Sequence, residues 1–192
     1  RLDFKGNMDV PSLETLIDAR ARLLRPGGTI VAASDTLYAA PCAAPDVWRR
    51  EVAAGLGRNE VRLDPIVPQI YDTPFRCRIE PEALRAAPAR WLELDYLSVR
   101  DTDHVGSAAW TFASDEAVDG VALWFDSDLG RGERLSAAPS ARSVVYRQLY
   151  LPFRKSIRVR RGASLRTEIS VRLIGVNYLW KWETFVRQPG EI

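Results

Sequence analysis

The chain has few of the residues that build metal centres and disulfide frameworks. Its 192 residues include one histidine, His104, and two cysteines, Cys42 and Cys77, which do not form a CxxC pair. A structural zinc site needs four such ligands, so a metal site is not expected. Spacing does not exclude a disulfide, but two isolated cysteines are more often free thiols, and we expect a reducing compartment.

Long apolar runs and an excess of one charge are also absent. No run of 18 apolar residues and no basic leader before an apolar segment occurs, so neither a membrane span nor a signal peptide is expected. The 27 basic and 25 acidic residues give a net charge of +2, too near neutral to indicate nucleic-acid binding. These absences predict a soluble, cytoplasmic protein whose partners include neither a membrane nor a nucleic acid.

The first predicted element is a helix that ends at a Pro-Gly-Gly turn. Four apolar residues recur at helical spacing after Ser12: Leu13, Leu16, Ile17 and Leu24. Residues 29–33 (TIVAA) follow the turn and are apolar on both faces, as in a buried parallel strand. Such a helix and strand normally close a larger α/β domain. We therefore expect residues 1–33 to be the last helix and strand of a domain whose sheet lies outside this chain.

Residues 34–192 have the pattern of a β domain with one short helical interruption. Strands are predicted at 36–40, 89–99, 105–113, 120–126, 146–153, 156–160, 164–173 and 178–187. Most alternate apolar and polar residues, as antiparallel strands with one solvated face do. The predicted fold class is mainly β, an antiparallel β-barrel or sandwich with a short N-terminal helix-strand remnant of an α/β domain and a small helical arm.

The helical arm is predicted at about 46–59. Asp46 is its predicted N-cap, and three residues form its apolar face: Trp48, Val52 and Leu56. Apolar residues on a helix that projects from a β domain need a partner surface, which a second copy of the chain would supply. The alternative is that the arm folds back on its own β domain.

Other polar groups are weaker candidates for function. His104 lies between two acids, as a general base would, but a solvated turn between strands is the favoured interpretation because no nucleophile is near it in the sequence. Basic residues at 154–161 form either a docking surface for an acidic partner or a solvated strand edge. Asp126 and Asp128 could attract a cationic peptide or could only face water.

Four segments resemble, in order and in texture, the C-terminal half of protein arginine methyltransferases. SLETLIDARARLLRPGGTIVAASDTLYAA (12–40) is similar to the end of their S-adenosylmethionine-binding domain and the first strand of their barrel. FRCRIEPEALRAAPARWLELDY (75–96) is similar to the barrel segment that follows the dimerisation arm. The segments at 123–152 and 156–185 are similar to strands near the active site and to the last barrel strands.

The resemblance implies a barrel that binds a protein or peptide substrate and an arm that forms a homodimer. It also implies S-adenosylmethionine as the cofactor of an intact bacterial parent, and substrate binding at Asp126, Asp128 and Tyr146. The cofactor is not expected to bind this chain alone, because the sequence contains no GxGxG motif.

The family's catalytic residues are replaced in this sequence. Its two substrate-binding glutamates fall near Arg1 and at Val10, and its Thr-His-Trp loop places Val145 at the histidine and Tyr146 at the tryptophan. Valine can neither transfer a proton nor hold a carboxylate, so no catalytic residue is predicted in this chain. The parent then methylates something other than arginine or has lost catalysis. The alternative to a methyltransferase is a non-catalytic binding or scaffold module derived from the same fold.

Overall fold

A computed structural model describes residues 12–53, 71–141, 146–175 and 177–190. Several residues singled out above lie outside these ranges: Arg1, Val10, Leu56 and Val145. Within them, helix α1 (Ser12–Leu23) precedes the strands, and two short helical segments interrupt the β structure. The first of these is α2 (Pro45–Val47), which continues as a π-helical turn over Trp48–Ala53, and the second is a 3₁₀ turn at Pro81–Ala83.

The strands of the described residues form two antiparallel sheets. They are β1 Ser34–Cys42, β2 Phe75–Cys77, β3 Ala89–Asp95, β4 His104–Thr111, β5 Glu116–Gly130, β6 Glu133–Ser136, β7 Gln148–Val159, β8 Ser164–Ile174 and β9 Asn177–Arg187. The larger sheet has the order β2-β7-β5-β1-β3, with β6 paired to β5, and the smaller has the order β4-β8-β9. The mainly β, antiparallel fold class is therefore confirmed, with two sheets that do not close into one continuous barrel.

Helix α1 forms as its apolar spacing predicts and is attached to the end of β3. Leu13 is fully buried, and Leu16 and Ile17 pack against the same core. The Arg20 guanidinium donates to the carbonyl oxygen of Tyr96 at 2.8 Å and to that of Val99. The helix is thus held by this chain's own β structure.

The predicted strand at 29–33 is wrong. These residues form no strand, and Val31 is 74% exposed. A parallel strand needs a neighbour for its hydrogen-bond ladder, and none of the described strands pairs with this segment. Within this segment, only Ala33 forms the hydrogen bonds of a strand residue. Its N–H donates to the Asp128 backbone carbonyl, and its carbonyl oxygen accepts the backbone N–H of Tyr96. Apolar composition on both faces was therefore not sufficient to make a strand.

Strand β7 joins two predicted strands, 146–153 and 156–160, through an irregularity. Gly120 of β5 pairs with Pro152, but Val118 pairs with Ile157, so residues 153–156 lie opposite Asp119 alone. Arg154 and Lys155 are exposed on this bulge. Two short strands, β2 and β6, had no sequence prediction, because three or four residues are too few for a visible alternation.

The core lies between the two sheets and contains most of the tryptophans. Trp91 of β3 and Trp180 of β9 approach with ring centroids 6.3 Å apart, which joins the larger sheet to the smaller. Beside them the backbones of β3 and β4 come so close that a Cβ at Gly106 would lie 2.1 Å from the Trp91 carbonyl oxygen. Only glycine fits this crossing point.

Replacing Gly106 with alanine is expected to destabilise the fold. The added methyl group would force β4 away from the Trp91 backbone, and overpacking of this kind costs roughly 1–3 kcal/mol. Urea unfolding followed by tryptophan fluorescence measures the change. Ser107→Ala, at the next and exposed position of β4, is the control and should change the free energy of unfolding by less than about 0.5 kcal/mol. Equal stability of the two variants would contradict the crossing geometry.

Candidate functional site

Acidic residues gather where α1 and its linker meet the larger sheet. At this end, the first residues of β1 pair with the last regular residues of both β5 and β3. The edge that results carries four aspartates: Asp35, Asp95, Asp126 and Asp128. We call this end of the sheet the acidic edge. Ala33 is bonded to both Asp128 and Tyr96, so the linker from α1 arrives at the same place.

Asp35 is the buried acid of this edge, and sequence reasoning missed it. Asp35 is only 3% exposed. The Ser127 hydroxyl donates to its Oδ1, and the Tyr96 hydroxyl donates to its Oδ2 at 2.6 Å. No lysine or arginine of the described residues forms an ion pair with it. The two hydroxyl donors therefore compensate the buried carboxylate and tie β1, β5 and the end of β3 together.

Asp126 and Asp128 are held by local hydrogen bonds. The Ser136 hydroxyl donates to Asp126 Oδ1 at 2.6 Å, and the Gly130 N–H donates to Asp128 Oδ1 at 2.8 Å. Successive side chains of a strand project to opposite faces, so both carboxylates lie on the face of β5 opposite to that of Ser127. Both are half-buried rather than fully solvated.

Tyr146 lies on the Asp35 side of the larger sheet. Its ring meets Phe125 edge to face, with centroids 5.2 Å apart and planes at 77°. Phe125 and Ser127 share one face of β5, because they are two residues apart in the regular part of the strand. The structure therefore divides the three predicted substrate-binding residues: Tyr146 contacts one face of β5, and the two aspartates project from the other.

Gln148 fixes the chain segment that leads from Tyr146 into β7. Its side chain is buried, its Nε2 donates to the Ala137 carbonyl at 2.8 Å, and its Oε1 accepts from the Ile79 N–H at 2.9 Å. A side-chain amide donates from its nitrogen and accepts at its oxygen, so it can bridge two chain segments without carrying a charge. The loop after β6 is thereby joined to the segment after β2.

The predicted dimerisation residues at the start of the arm lie against the chain's own β structure. Val52 is fully buried in the core. The Trp48 indole N–H donates to the Phe153 carbonyl oxygen at 3.1 Å. Asp46 is not the N-cap, because α2 begins at Pro45 with Ala44 in that position. The described part of the arm therefore follows the alternative of folding back, and dimerisation stays a prediction.

The prediction that His104 lies in a solvated turn is wrong, because His104 is the first residue of β4. It is half-buried, and its Nε2 has no hydrogen-bond partner among the described atoms. Burial lowers the pKa of its imidazole, an effect that the Asp101 backbone and the charges of Asp101 and Asp103 oppose. The ring is therefore a neutral part of the core edge.

The cysteines and the acidic residues were also considered as possible disulfide partners or metal ligands. Cys42 and Cys77 are both buried free thiols, as predicted, and burial raises the pKa of Cys77 to about 12. The part of the chain that the structure describes contains no group of three or more His, Cys, Asp or Glu residues placed to hold a metal ion. In the same ranges, no helix is both long enough and apolar enough to cross a membrane.

An apolar groove remains open on the outer side of α1. It has a volume of about 380 Å³ and is lined by Thr15, Leu16, Ala19, Arg20, Leu23, Leu24 and Ile30. Leu23 is 71% exposed beside it. The apolar stripe of α1 is thus divided, with Leu13 covered by this chain and the groove residues left accessible.

Comparisons with known proteins agree on one fold. No protein-family model matches the chain. A curated relative, the arginine N(omega)-methyltransferase of Streptomyces achromogenes subsp. streptozoticus, is 25% identical over 153 residues, which is 80% of this chain and 42% of the relative.

Two solved structures show the same similarity. The Trypanosoma brucei PRMT1 enzyme-prozyme heterotetrameric complex with AdoHcy matches 93% of this chain and 58% of that chain, with a TM-score of 0.77 and 14% identity. Arabidopsis thaliana protein arginine methyltransferase 10 matches 95% of this chain and 63% of that chain, with a TM-score of 0.73 and 17% identity. The resemblance is confirmed: the chain has the fold of a protein arginine methyltransferase-like barrel region and spans between 42% and 63% of the proteins it matches.

Asp35→Ala is expected to destabilise the protein by about 2–6 kcal/mol, because it leaves the Tyr96 and Ser127 hydroxyl groups without this acceptor, at about 1–3 kcal/mol each. Chemical denaturation measures the loss. Asp126→Ala is the comparison, since it removes a half-buried acid with one hydroxyl partner from the opposite face, and it should cost less. A larger loss for Asp126→Ala would overturn the assignment of Asp35 as the acid on which the edge depends.

The stability of the fold should depend on His104 at mildly acidic pH. Its pKa is lowered in the folded state, so the unfolded chain binds more protons, and stability falls as the pH drops below the unfolded value of about 6.5. Urea unfolding at intervals from pH 7.5 to pH 5 measures this slope. His104→Gln, which cannot be protonated, should have a shallower slope across that window, and identical slopes would contradict the buried neutral imidazole.

Proposed function

We propose that the chain is the substrate-binding and dimerisation part of an S-adenosylmethionine-dependent methyltransferase that resembles protein arginine methyltransferases. The observation that carries this proposal is a fold match with a TM-score of 0.77 over 93% of the chain, together with 25% identity to a curated arginine methyltransferase. The cofactor-binding half belongs, in this proposal, to residues outside this chain. The protein is proposed to act in the cytoplasm.

The residues of this chain do not fit the cofactor, which supports that division. Binding of S-adenosylmethionine in such folds uses a glycine-rich turn between a strand and a helix, and the sequence has no GxGxG motif. Helix α1 is followed by the irregular segment 24–33 and then by the antiparallel strand β1. No step of the chemistry is therefore assigned to a cofactor site within these residues.

The acidic edge is the proposed substrate side of the domain. It lies where α1 and its linker join the larger sheet, so a cofactor-binding half attached through α1 would meet it. Clustered carboxylates attract a cationic side chain to this end of the sheet. The ring of Tyr146, on the other face of β5, is the proposed stacking surface for a guanidinium group. Asp126 and Asp128 contribute attraction rather than a paired contact, because hydrogen bonds from Ser136 and Gly130 already orient them.

The proposed substrate is a protein or peptide that carries a cationic side chain, and the proposed assembly is a homodimer formed through the arm. The curated relative is named for arginine as its acceptor, so free arginine is a second acceptor to be tested.

A non-catalytic scaffold is the second candidate, and one observation favours it. Val145 and Val10 stand where the family has a histidine and a glutamate. Neither valine can bind or deprotonate a guanidinium group.

Methyl transfer by the full-length protein that contains this chain tests the proposal. With tritiated S-adenosylmethionine, we expect label in an arginine-rich peptide or in free arginine, but not in a peptide with lysine at the same positions. Tyr146→Ala should lower kcat/KM by about 5- to 30-fold, the loss expected when a stacked cationic contact worth about 1–2 kcal/mol is removed. Cofactor binding without transfer to any arginine acceptor would instead support the scaffold.

A further inference from the structure

Asp119 is a second buried aspartate, at the opposite end of the regular part of β5. It is 7% exposed, and both of its carboxylate oxygens accept the backbone N–H of Ala44, at 2.9 Å and 3.0 Å. The Tyr150 hydroxyl also lies 2.8 Å from Oδ1 and 2.9 Å from the Asp119 carbonyl oxygen. Ala44 is the residue at which the arm helix begins, so one buried carboxylate holds the start of the arm.

The bulge between β5 and β7 supplies a second attachment for the arm. Asp119 is the single residue of β5 opposite residues 153–156 of β7, and the first of these, Phe153, accepts the indole N–H of Trp48 at 3.1 Å. A bulge redirects a strand and exposes backbone groups that a regular ladder would use. Here those groups receive the arm from both strands of the irregular pair.

The charge of Asp119 makes the attachment strong. Hydrogen bonds to an ionised acceptor are about twice as strong as neutral ones, and no ion pair of the described residues includes this carboxylate. Burial and the neighbouring Asp119 charge raise the pKa of Tyr150, so its hydroxyl stays protonated and able to donate. Removal of the carboxylate would leave the Ala44 N–H without its acceptor, whereas the Tyr150 hydroxyl would keep the Asp119 carbonyl oxygen.

We propose that Asp119 is the positioning residue of the arm: it attaches the start of the arm to the β structure and sets the direction in which the arm reaches a second copy of the chain. We call residues 44–53 the arm root, and the attachment of the arm root through Asp119 the mount. The partner in this statement rests on the proposed function, but the mount does not. Val47 and Val52 are buried in the mount, and the exposed side of the arm root carries charged residues, namely Asp46, Arg49 and Arg50. Contacts of the arm root with a second copy are therefore polar rather than apolar.

Hydrogen exchange and sedimentation of the 192-residue chain test the proposal. In Asp119→Asn, we expect the Ala44 amide and the Trp48 indole N–H to exchange at least about tenfold faster, as loss of a hydrogen bond to a charged acceptor implies, while amides of β8 keep their protection. We also expect a weaker dimer by sedimentation equilibrium. Asp35→Asn is the matched control, because it neutralises the other buried aspartate of the same sheet and should leave both reporters unchanged.

The possible outcomes separate the mount from the dimer. Unchanged exchange at Ala44 and Trp48 in Asp119→Asn, or equal acceleration in Asp35→Asn, overturns the mount. If Asp119→Asn fails to fold, Tyr150→Phe is the second variant, since it removes one of the two donors to the Asp119 carboxylate. It should accelerate exchange of the Ala44 amide but not of the Trp48 indole N–H. No acceleration at Ala44 overturns the mount. A wild-type chain that sediments as a monomer at every concentration refutes the homodimer, and the exchange data still decide the role of Asp119.

Discussion

Strand β5 is hydrogen-bonded along both edges, and the rest of the structure depends on that pairing. From Gly120 to Leu123 it pairs with β1 on one side and with β7 on the other, and residues 118–125 are all buried. A strand enclosed in this way can accommodate a charge only where hydrogen-bond donors replace water. Asp119 meets this condition at one end, and the Asp35 carboxylate meets it at the other through Ser127. The two attachments of the β structure, to the arm and to α1 with its linker, lie at these same two ends.

This arrangement connects stability with function. The acid that fixes the acidic edge, Asp35, is too buried to serve as the contact for a substrate, and its role is to hold β1 against β5 and β3. Tyr146 is oriented by Phe125 on the same side, and Gln148 holds the following segment. The proposed substrate surface therefore has its supports inside the sheet. The arm is supported by the same strand, so both proposed functions of the domain depend on the packing of β5.

The alternation of apolar and polar residues predicted most of the strands, but it missed the residues that hold the structure together. Two of the predicted strands begin at Thr36 and Gly120. The buried aspartates, Asp35 and Asp119, are the residues immediately before these two starts. An aspartate at the start of an apolar strand has the sequence signal of a turn, and only its partners in distant segments, Tyr96 and Ser127 or Ala44 and Tyr150, show that it is buried. The error at 29–33 has a related cause, since a short apolar run becomes a strand only beside a neighbour. Resemblance to a known family supplied the order of the segments, which periodicity alone could not.

Titration calorimetry with S-adenosylmethionine shows whether this chain binds the cofactor without the rest of the protein. The proposed division assigns the acidic edge and the arm to this chain and the cofactor site to residues outside it. It predicts no measurable heat of binding for the 192-residue chain and saturable binding at one site per chain for the full-length protein that contains it. Tight binding by the 192-residue chain, or none by the longer protein, would contradict it.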